Sequence, residues 1–467
     1  VLKAGAVNDK ICHRLEGDKG EGRHTKNLKR RLGYNRAHWQ GIHPWNPQAF
    51  GEWLKRYARA MGRVFFYAAI AALIGLVVGI LDAVFGRGLI WLNACRDQHP
   101  LYFMPFLGVV GIAIMTVYLR FGGRAQRGMA LIFAVGYEED EHIPIRMIPL
   151  TVIATWLTHL FGGSAGREGV AVQIGATVAN NIGNVLPLQV HPRVLVLAGM
   201  AAGFGGLFGT PMAGTFFALE VLVVGSIFYD ALVPAIVAAW TADFTARTLG
   251  LQSFNLGHIE MLGIDFHLLV CLIGFGLAFG LVGRFFAIGL IKCRMVFADW
   301  IPNPVLRIFI IGTLLGIVFL ALGTGRYSGL SNDLFYSAFT GGRVYPWDWA
   351  LKLVLTVLTL SAGFQGGELA PCFVIGASLG VILGEAVGVT PALVAACGAC
   401  SVFGAATRTF LAPVFLGVEL FGPEALPYFF IVCVTAHVVA GQESIYTAQK
   451  DLSQLLSFKG SEHNSRL

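Results

Sequence analysis

An arginine and a glutamate stand side by side at Arg167 and Glu168, inside GGSAGREGV, a glycine-rich gap between two apolar runs. A helix that begins inside a membrane exposes free amide groups and the positive end of its dipole. That end is a ready anion site. Glycines beside it, here Gly166 and Gly169, permit a tight turn and close approach of a ligand to the backbone. Val170 then opens the next apolar run. A second gap, SAGFQGGELAP, places Gly367, Glu368, Leu369 and Ala370 before another such run. The two gaps predict helices starting near Glu168 and Glu368, with their N-termini converging at the bilayer midplane on one small anion.

A carboxyl group in such a place has two useful states. Ionised, Glu168 is itself an anion and fills the site. Protonated, it is neutral and leaves the site to a free ion. Burial opposes ionisation and a helix N-terminus favours it, so one carboxyl would gate the anion and carry the proton. Arg167 is expected to pair with carbonyls or a nearby acid and to steady the turn. An acid in a membrane segment is functional by default because of its cost; a capping or packing role stays open for Glu168 and Glu368. For Glu220 and Glu419, late in their helices, a structural role at the cytoplasmic face or a subunit interface is the favoured reading. By residue type alone, His159 is structural, Met129 is packing and Tyr446 is an interface tyrosine.

The elements that must position these residues are membrane helices. The 467 residues are 55% hydrophobic and only 13% charged, against about 25% charged in soluble domains. Mean hydropathy is +0.67. Apolar windows of spanning length, roughly 17–25 residues, recur: Val64–Leu81, Leu101–Leu119, Phe266–Ala287 and Leu306–Leu322. Alternating segments of about 10 residues, the mark of a membrane β-barrel, are absent. The chain reads as an all-α polytopic membrane protein. Its 59 glycines then suggest close helix packing and broken helices.

The first span is expected over Val64–Gly86, closed by Arg87, after a basic tail over residues 1–62 containing Lys26, Lys29, Arg30, Arg31 and Arg36. Such a tail places the N-terminus in the cytoplasm, touching anionic headgroups, and argues against a nucleic-acid partner. His24, His38 and His43 in the tail lack metal-site spacing. No apolar signal-peptide core precedes residue 64. Cys397 and Cys400 form a C-x-x-C inside an apolar run and read as small packing residues. With no second ligand pair in sight, neither a metal nor a cofactor is expected. The acidic stretch Glu138–His142 reads as a solvated turn.

Short apolar segments cut by Gly and Pro recur in both halves: Met147–Phe161 and Val170–Val178, then Trp349–Ala362, Cys372–Leu383, Pro391–Val402, Leu411–Leu420 and Pro427–Val439. Paired segments of this kind point to a transporter site between inverted repeats. GGLFGTPMAGTFFALEVLVVG at Gly205–Gly225 matches CSVFGAATRTFLAPVFLGVELFG at Cys400–Gly422, and GREGV matches GGELAP. The halves are about 64–250 and 265–445, within a membrane domain over 63–455. About 20 residues follow Tyr446, too few for an independent domain, so a short tail over 456–467 is expected and no regulatory module.

GREG after a short span, with G-x-x-x-P at Gly367–Pro371, resembles the CLC anion channels and transporters over essentially residues 64–455. The resemblance implies a CLC-type inverted repeat of broken and tilted transmembrane helices, and a homodimer with one anion pathway per subunit. Details point to one branch. RGMALI puts Met129 where chloride-type members have the Ser of G-S-G-I-P. GREGV has Val170 for the usual Pro, and GELAP brings in Glu368 and Leu369. The second of two consecutive acids common in chloride/proton exchangers is missing at Glu220-Val221. The combination resembles the CLC-F branch of bacterial fluoride/proton antiporters. The resemblance implies Glu168 as the gating and proton-transfer glutamate, Glu368 as the second-repeat acid, Met129 as lining the anion site and Tyr446 as the pore tyrosine. One departure is Ala370, where the branch can carry Thr; loss of that hydroxyl donor is expected either to weaken fluoride selectivity or to shift the contact to backbone amides.

The expectation is an exporter that exchanges fluoride for protons in the bacterial inner membrane, multi-pass, surrounded by lipid, with both termini cytoplasmic. The alternative is a chloride channel or chloride/proton exchanger of the same family. Nothing supports an enzyme: no metal cluster, nucleotide loop or nucleophile constellation appears in the sequence.

Overall fold

The computed structural model of the chain describes residues 47–140, 142–185, 191–252, 263–323 and 325–452. The tail expected over 1–62 lies outside the described residues up to position 46, as do His24, His38 and His43 and the C-terminal tail. Residues 1–65 and 66–467 form two units. The first unit is helical from Pro47, and Phe50, Trp53 and Tyr57 stack along its exposed side at 5.8 and 5.5 Å.

In the second unit, capping residues mark several helix starts. Asp265 accepts the Leu268 amide at 2.8 Å, and Asn303 accepts that of Val305 at 3.0 Å. Pro192, Pro211 and Pro391 each stand in a first helical turn, where the missing amide is harmless. Among the described residues, the helices of eight residues or more fall into two series of eight. The first is α1 (Pro47–Gln98), α2 (Leu107–Val117), α3 (Met129–Gly136), α4 (Met147–Leu160), α5 (Glu168–Val185), α6 (Pro192–Phe208), α7 (Pro211–Glu220) and α8 (Leu232–Thr248). The second is α9 (Phe266–Trp300), α10 (Pro304–Ala321), α11 (Asn332–Thr340), α12 (Asp348–Ala362), α13 (Leu369–Val387), α14 (Pro391–Thr407), α15 (Leu411–Phe421) and α16 (Leu426–Val439). Five described helices are long and apolar enough to cross a bilayer.

The expected first span differs at both ends. The helix starts at Pro47 and passes Arg87 to Gln98. Arg87 does not stop it because the side chain lies on the exposed face and donates to the Leu249 carbonyl at 2.9 Å.

Glycine contacts repeat between the series. Gly75 and Gly79 of α1 press on the Ala238 and Ala242 carbonyls of α8; Gly276 and Gly280 of α9 press on those of Val432 and Ala436 in α16. Gly175 of α5 and Gly199 of α6 face each other so closely that a Cβ on either would strike the other's carbonyl. Gly376 of α13 and Gly398 of α14 do the same. Each of these four is the eighth residue of its helix, counting from Glu168, Pro192, Leu369 and Pro391. Close backbone approach of this kind drives helix association where lipid removes the hydrophobic gain.

Helices α7 and α15 join the series by exchange. The Glu220 carboxylate, at the end of α7, accepts the Phe410 and Leu411 amides at the start of α15, both at 2.9 Å. The Glu419 carboxylate, late in α15, accepts the Met212 and Ala213 amides of α7 at 2.8 and 2.9 Å. Phe216 and Phe415 stack between them at 4.4 Å. Each acid therefore caps the other helix's positive end, and neither carboxylate is spent on open water.

Beyond the helices, β1 (Val223–Val224) pairs in parallel with β2 (Lys450–Asp451). The acidic turn at Glu138–Asp140 is not merely solvated, as the sequence suggested. Asp140 pairs with Arg124 and Arg127, Glu138 with Arg193, and Glu139 with Lys450. The fold brings bases to this turn from segments distant in sequence.

Candidate functional site: two helix N-termini and a cavity

Two glycine turns meet at the centre of the second unit. One leaves α4 through Gly162, at φ +93°, and leads to α5. The other leaves α12 through Gly363, at φ +115°, and leads to α13. Gly166 and Gly367 then pair across the two turns: each amide donates to the other's carbonyl, at 2.6 and 2.8 Å. A Cβ on Gly367 would stand 2.8 to 3.3 Å from the amide nitrogens of Gly169, Glu168 and Arg167. A Cβ on Gly166 would stand 2.9 Å from the Gly367 carbonyl and from Pro371. Only glycine at both places lets the two positive helix ends come this close.

Glu168 is fully buried. Its Oε2 accepts the amides of Arg167 at 3.2 Å and of Ala370, on α13, at 3.1 Å. Its Oε1 has no hydrogen-bond partner among the described residues and faces Arg167 Nε at 3.7 Å. The carboxylate of the first series thus occupies the helix N-terminus of the second. A small cavity of about 10 Å³, bounded by Leu330, Asn332, Phe335 and Phe373, lies against Glu168 and Ala370.

Glu368 lies on a different surface. It is half-buried, and its Oε2 is 3.3 Å from where a Cβ would stand on Gly169. It lines a cavity of about 380 Å³ together with Met129 and Tyr446. Met129 is the first residue of α3, set by Gly128 at φ +53°. The Tyr446 ring packs on Phe133 at 5.5 Å and Phe217 at 6.3 Å. Its hydroxyl is buried with no hydrogen-bond partner among the described residues.

The structure therefore groups Gly166, Arg167, Glu168, Gly169, Gly367, Glu368 and Ala370 at the paired turns, with Met129 and Tyr446 joining Glu368 on the larger cavity. The side chains of two further expected anion ligands, Val170 and Leu369, point into the core. The Val170 side chain is buried in a core cluster with Ala171 and Ile174, and its amide donates to the Arg167 carbonyl at 3.1 Å. Leu369 is fully buried in the main core. Both follow from helical geometry: the residue beyond the turn points back toward neighbouring helices.

Behind the first turn lies a polar support that sequence reading missed. Lys352 of α12 is fully buried and donates to Ser164 Oγ at 2.9 Å and to the Gly329 and Tyr327 carbonyls at 2.9 and 3.3 Å. Arg96 donates to the His159 carbonyl at 2.9 Å, and His159 Nε2 lies 3.3 Å from the Gly166 carbonyl. That nitrogen must carry the proton to make the contact. Asp82 of α1 is buried beside Gly206, its carboxyl oxygens without hydrogen-bond partners among the described residues. A lone lysine in WALKLVLTV and a lone aspartate in GILDAVFG are intramembrane charges, and that was the available signal.

Residues 110–441 match the family model for voltage-gated chloride channels. The chain belongs to the voltage-gated chloride channel (CLC) family. A chloride/fluoride channel protein of Pseudomonas syringae pv. tomato is 36% identical over 391 residues, covering 82% of this chain and 86% of its relative. A solved CLC-type fluoride/proton antiporter is 47% identical, with a TM-score of 0.82, over 83% of this chain and 98% of the other. A slow cyanobacterial Cl⁻/H⁺ antiporter, 22% identical with a TM-score of 0.70 over 85% and 99% of the two chains, shares the fold. As a CLC protein the chain is a multi-pass membrane protein of a family of channels and transporters, not enzymes.

Proposed function

We propose that this CLC protein exports fluoride in exchange for protons. The observation that carries the reading is the Glu168 carboxylate resting on the Ala370 amide, one anion held at the N-terminus of a broken helix. In its neutral form Glu168 leaves that amide to fluoride; in its ionised form it returns. Proton and anion then use the site in turn, which is exchange. The antiporter at 47% identity and the chloride/fluoride channel relative support fluoride as the anion. Ala370 contributes through its amide, the only donor its side chain leaves.

Glu368, Met129 and Tyr446 have the place and chemistry to serve the anion on the cavity side, with the unpartnered Tyr446 hydroxyl as donor. Arg127, Arg294 and Arg307 stand on the wall of the larger cavity and concentrate basic residues at one face. By the positive-inside rule that face, onto which the larger cavity opens, is cytoplasmic. The protein works as a homodimer in the bacterial inner membrane, with both termini cytoplasmic.

The test is efflux from liposomes loaded with equal fluoride and chloride, read with ion-selective electrodes. Fast fluoride release with little chloride release is expected. Equal release of both, or chloride alone, overturns the fluoride assignment in favour of a chloride pathway.

A further inference from the structure

A crevice of about 140 Å³ opens between α2 and α4. Ala113, Val117 and Tyr118 form one wall, and Leu150, Ile153 and Leu157 form the other. Ala113, Val117 and Ile153 are exposed, and in a multi-pass membrane protein an exposed apolar rim faces lipid. An apolar space of about 150 Å³ stays dry and accepts a hydrocarbon guest. Ile114 and Tyr118 also line the larger cavity, so the same side chains wall both spaces.

Two arginines mark one end of this crevice. Arg120 stands in the π-helical turn Tyr118–Gly122 that follows α2. Its guanidinium lies 5.9 Å from the exposed Phe121 ring, a contact that leaves its charge unneutralised. Arg146 immediately precedes α4, one turn ahead of Pro149 and Leu150 in the crevice wall. The fold joins the two segments: a Cβ on Gly123 would stand 2.5 Å from Arg146 Nη2, so this guanidinium lies against the turn that carries Arg120. Both arginines are exposed, and neither makes an ion pair among the described residues, whereas Arg124 and Arg127 nearby are answered by Asp140. Free cations at the end of an apolar slot on a lipid face match a phospholipid with an anionic headgroup. We propose that the α2–α4 crevice binds one such lipid, its phosphate on Arg120 and Arg146 and one acyl chain between Val117 and Ile153. A guanidinium fork fits phosphate oxygens in pairs, and the slot matches the chain. The bound chain backs the Ile114–Tyr118 wall of the larger cavity from the lipid side.

The test reconstitutes the full chain in phosphatidylcholine vesicles doped with a phosphatidylglycerol that carries a diazirine on its acyl chain. A parallel sample holds the same diazirine on phosphatidylcholine. After irradiation, adducts are mapped by peptide mass spectrometry. The phosphatidylglycerol probe is expected to label residues 113–118 and 149–157 about 10-fold more than the phosphatidylcholine probe. In R120Q/R146Q that preference is expected to fall to near unity. In A113F, which fills the slot from the lipid side, labelling of both segments by either probe is expected to drop. Equal labelling of the wild type by the two probes means bulk lipid only and overturns the site. So does a preference that survives R120Q/R146Q, or labelling that A113F leaves unchanged. Wild-type segments that neither probe labels, as when a second copy of the chain covers this face, overturn it too. These readouts involve no anion flux and are indifferent to which anion the protein carries.

Discussion

The carboxylate of Glu168, at the start of α5, accepts the amide of Ala370, in the first turn of α13, at 3.1 Å. An acid from one series therefore sits where the other series would bind an anion. Glu168→Gln preserves the shape of this contact and abolishes titration. Anion flux is expected to continue while proton movement falls to background, measured as simultaneous fluoride and pH traces from one vesicle population. A proton-to-fluoride ratio equal to the wild type's would show that the proton travels elsewhere.

Tyr446→Phe separates transport from stability. The hydroxyl is buried without a partner among the described residues, so its removal leaves no donor or acceptor stranded. Thermal stability in detergent should shift by less than about 0.5 kcal/mol, while the concentration for half-maximal fluoride flux should rise several-fold. A clear stability loss with unaltered flux would make the hydroxyl structural.

Glu220 and Glu419 predict the reverse pattern. Each caps the other's helix through two or more amides. Glu220→Ala should destabilise by about 1–3 kcal/mol, read from thermal unfolding, and leave the proton-to-fluoride ratio untouched. A changed ratio in a stable Glu220→Ala protein would place this acid on the proton route.

The glycine crossings give a test with an internal control. A methyl group on Gly376 would strike the Gly398 backbone, whereas one on Gly274, in α9, meets nothing within 4 Å. Gly376→Ala should cost about 1–3 kcal/mol or more through overpacking. Gly274→Ala should be neutral or stabilising, as an open helical site allows. Similar behaviour of the two variants would contradict the crossing geometry.

Lys352→Met strands the Gly329 and Tyr327 carbonyls at once and leaves Ser164 Oγ with Thr356 as its remaining side-chain partner. Each stranded polar group costs about 1–3 kcal/mol, so the variant should unfold well below the wild type in detergent. Unchanged stability would mean that these groups find other partners.

What the sequence made legible was local. Glycine runs before Glu168 and Leu369, and the charged residues beside them, marked the two helix starts because those signals lie within a few residues of each other. Pairings between halves were not legible. Glu220 and Phe410, or Gly376 and Gly398, gain meaning only once the chain has brought distant segments together, and a glycine in an apolar run does not name its neighbour. A first span ending before Arg87 is too short because this arginine does not stop the helix: its long side chain reaches a carbonyl on the surface instead. The motif positions of Val170 and Leu369 point to the site, while helix geometry turns both side chains into the core.

The most direct test of fluoride/proton exchange begins with vesicles holding equal fluoride on both sides and a pH difference across the membrane. Uphill fluoride movement into the more acidic compartment, as protons leave it, is the predicted result. Fluoride that stays at equilibrium despite the pH difference, in protein that carries fluoride down a fluoride gradient, would show a passive pathway and contradict the account.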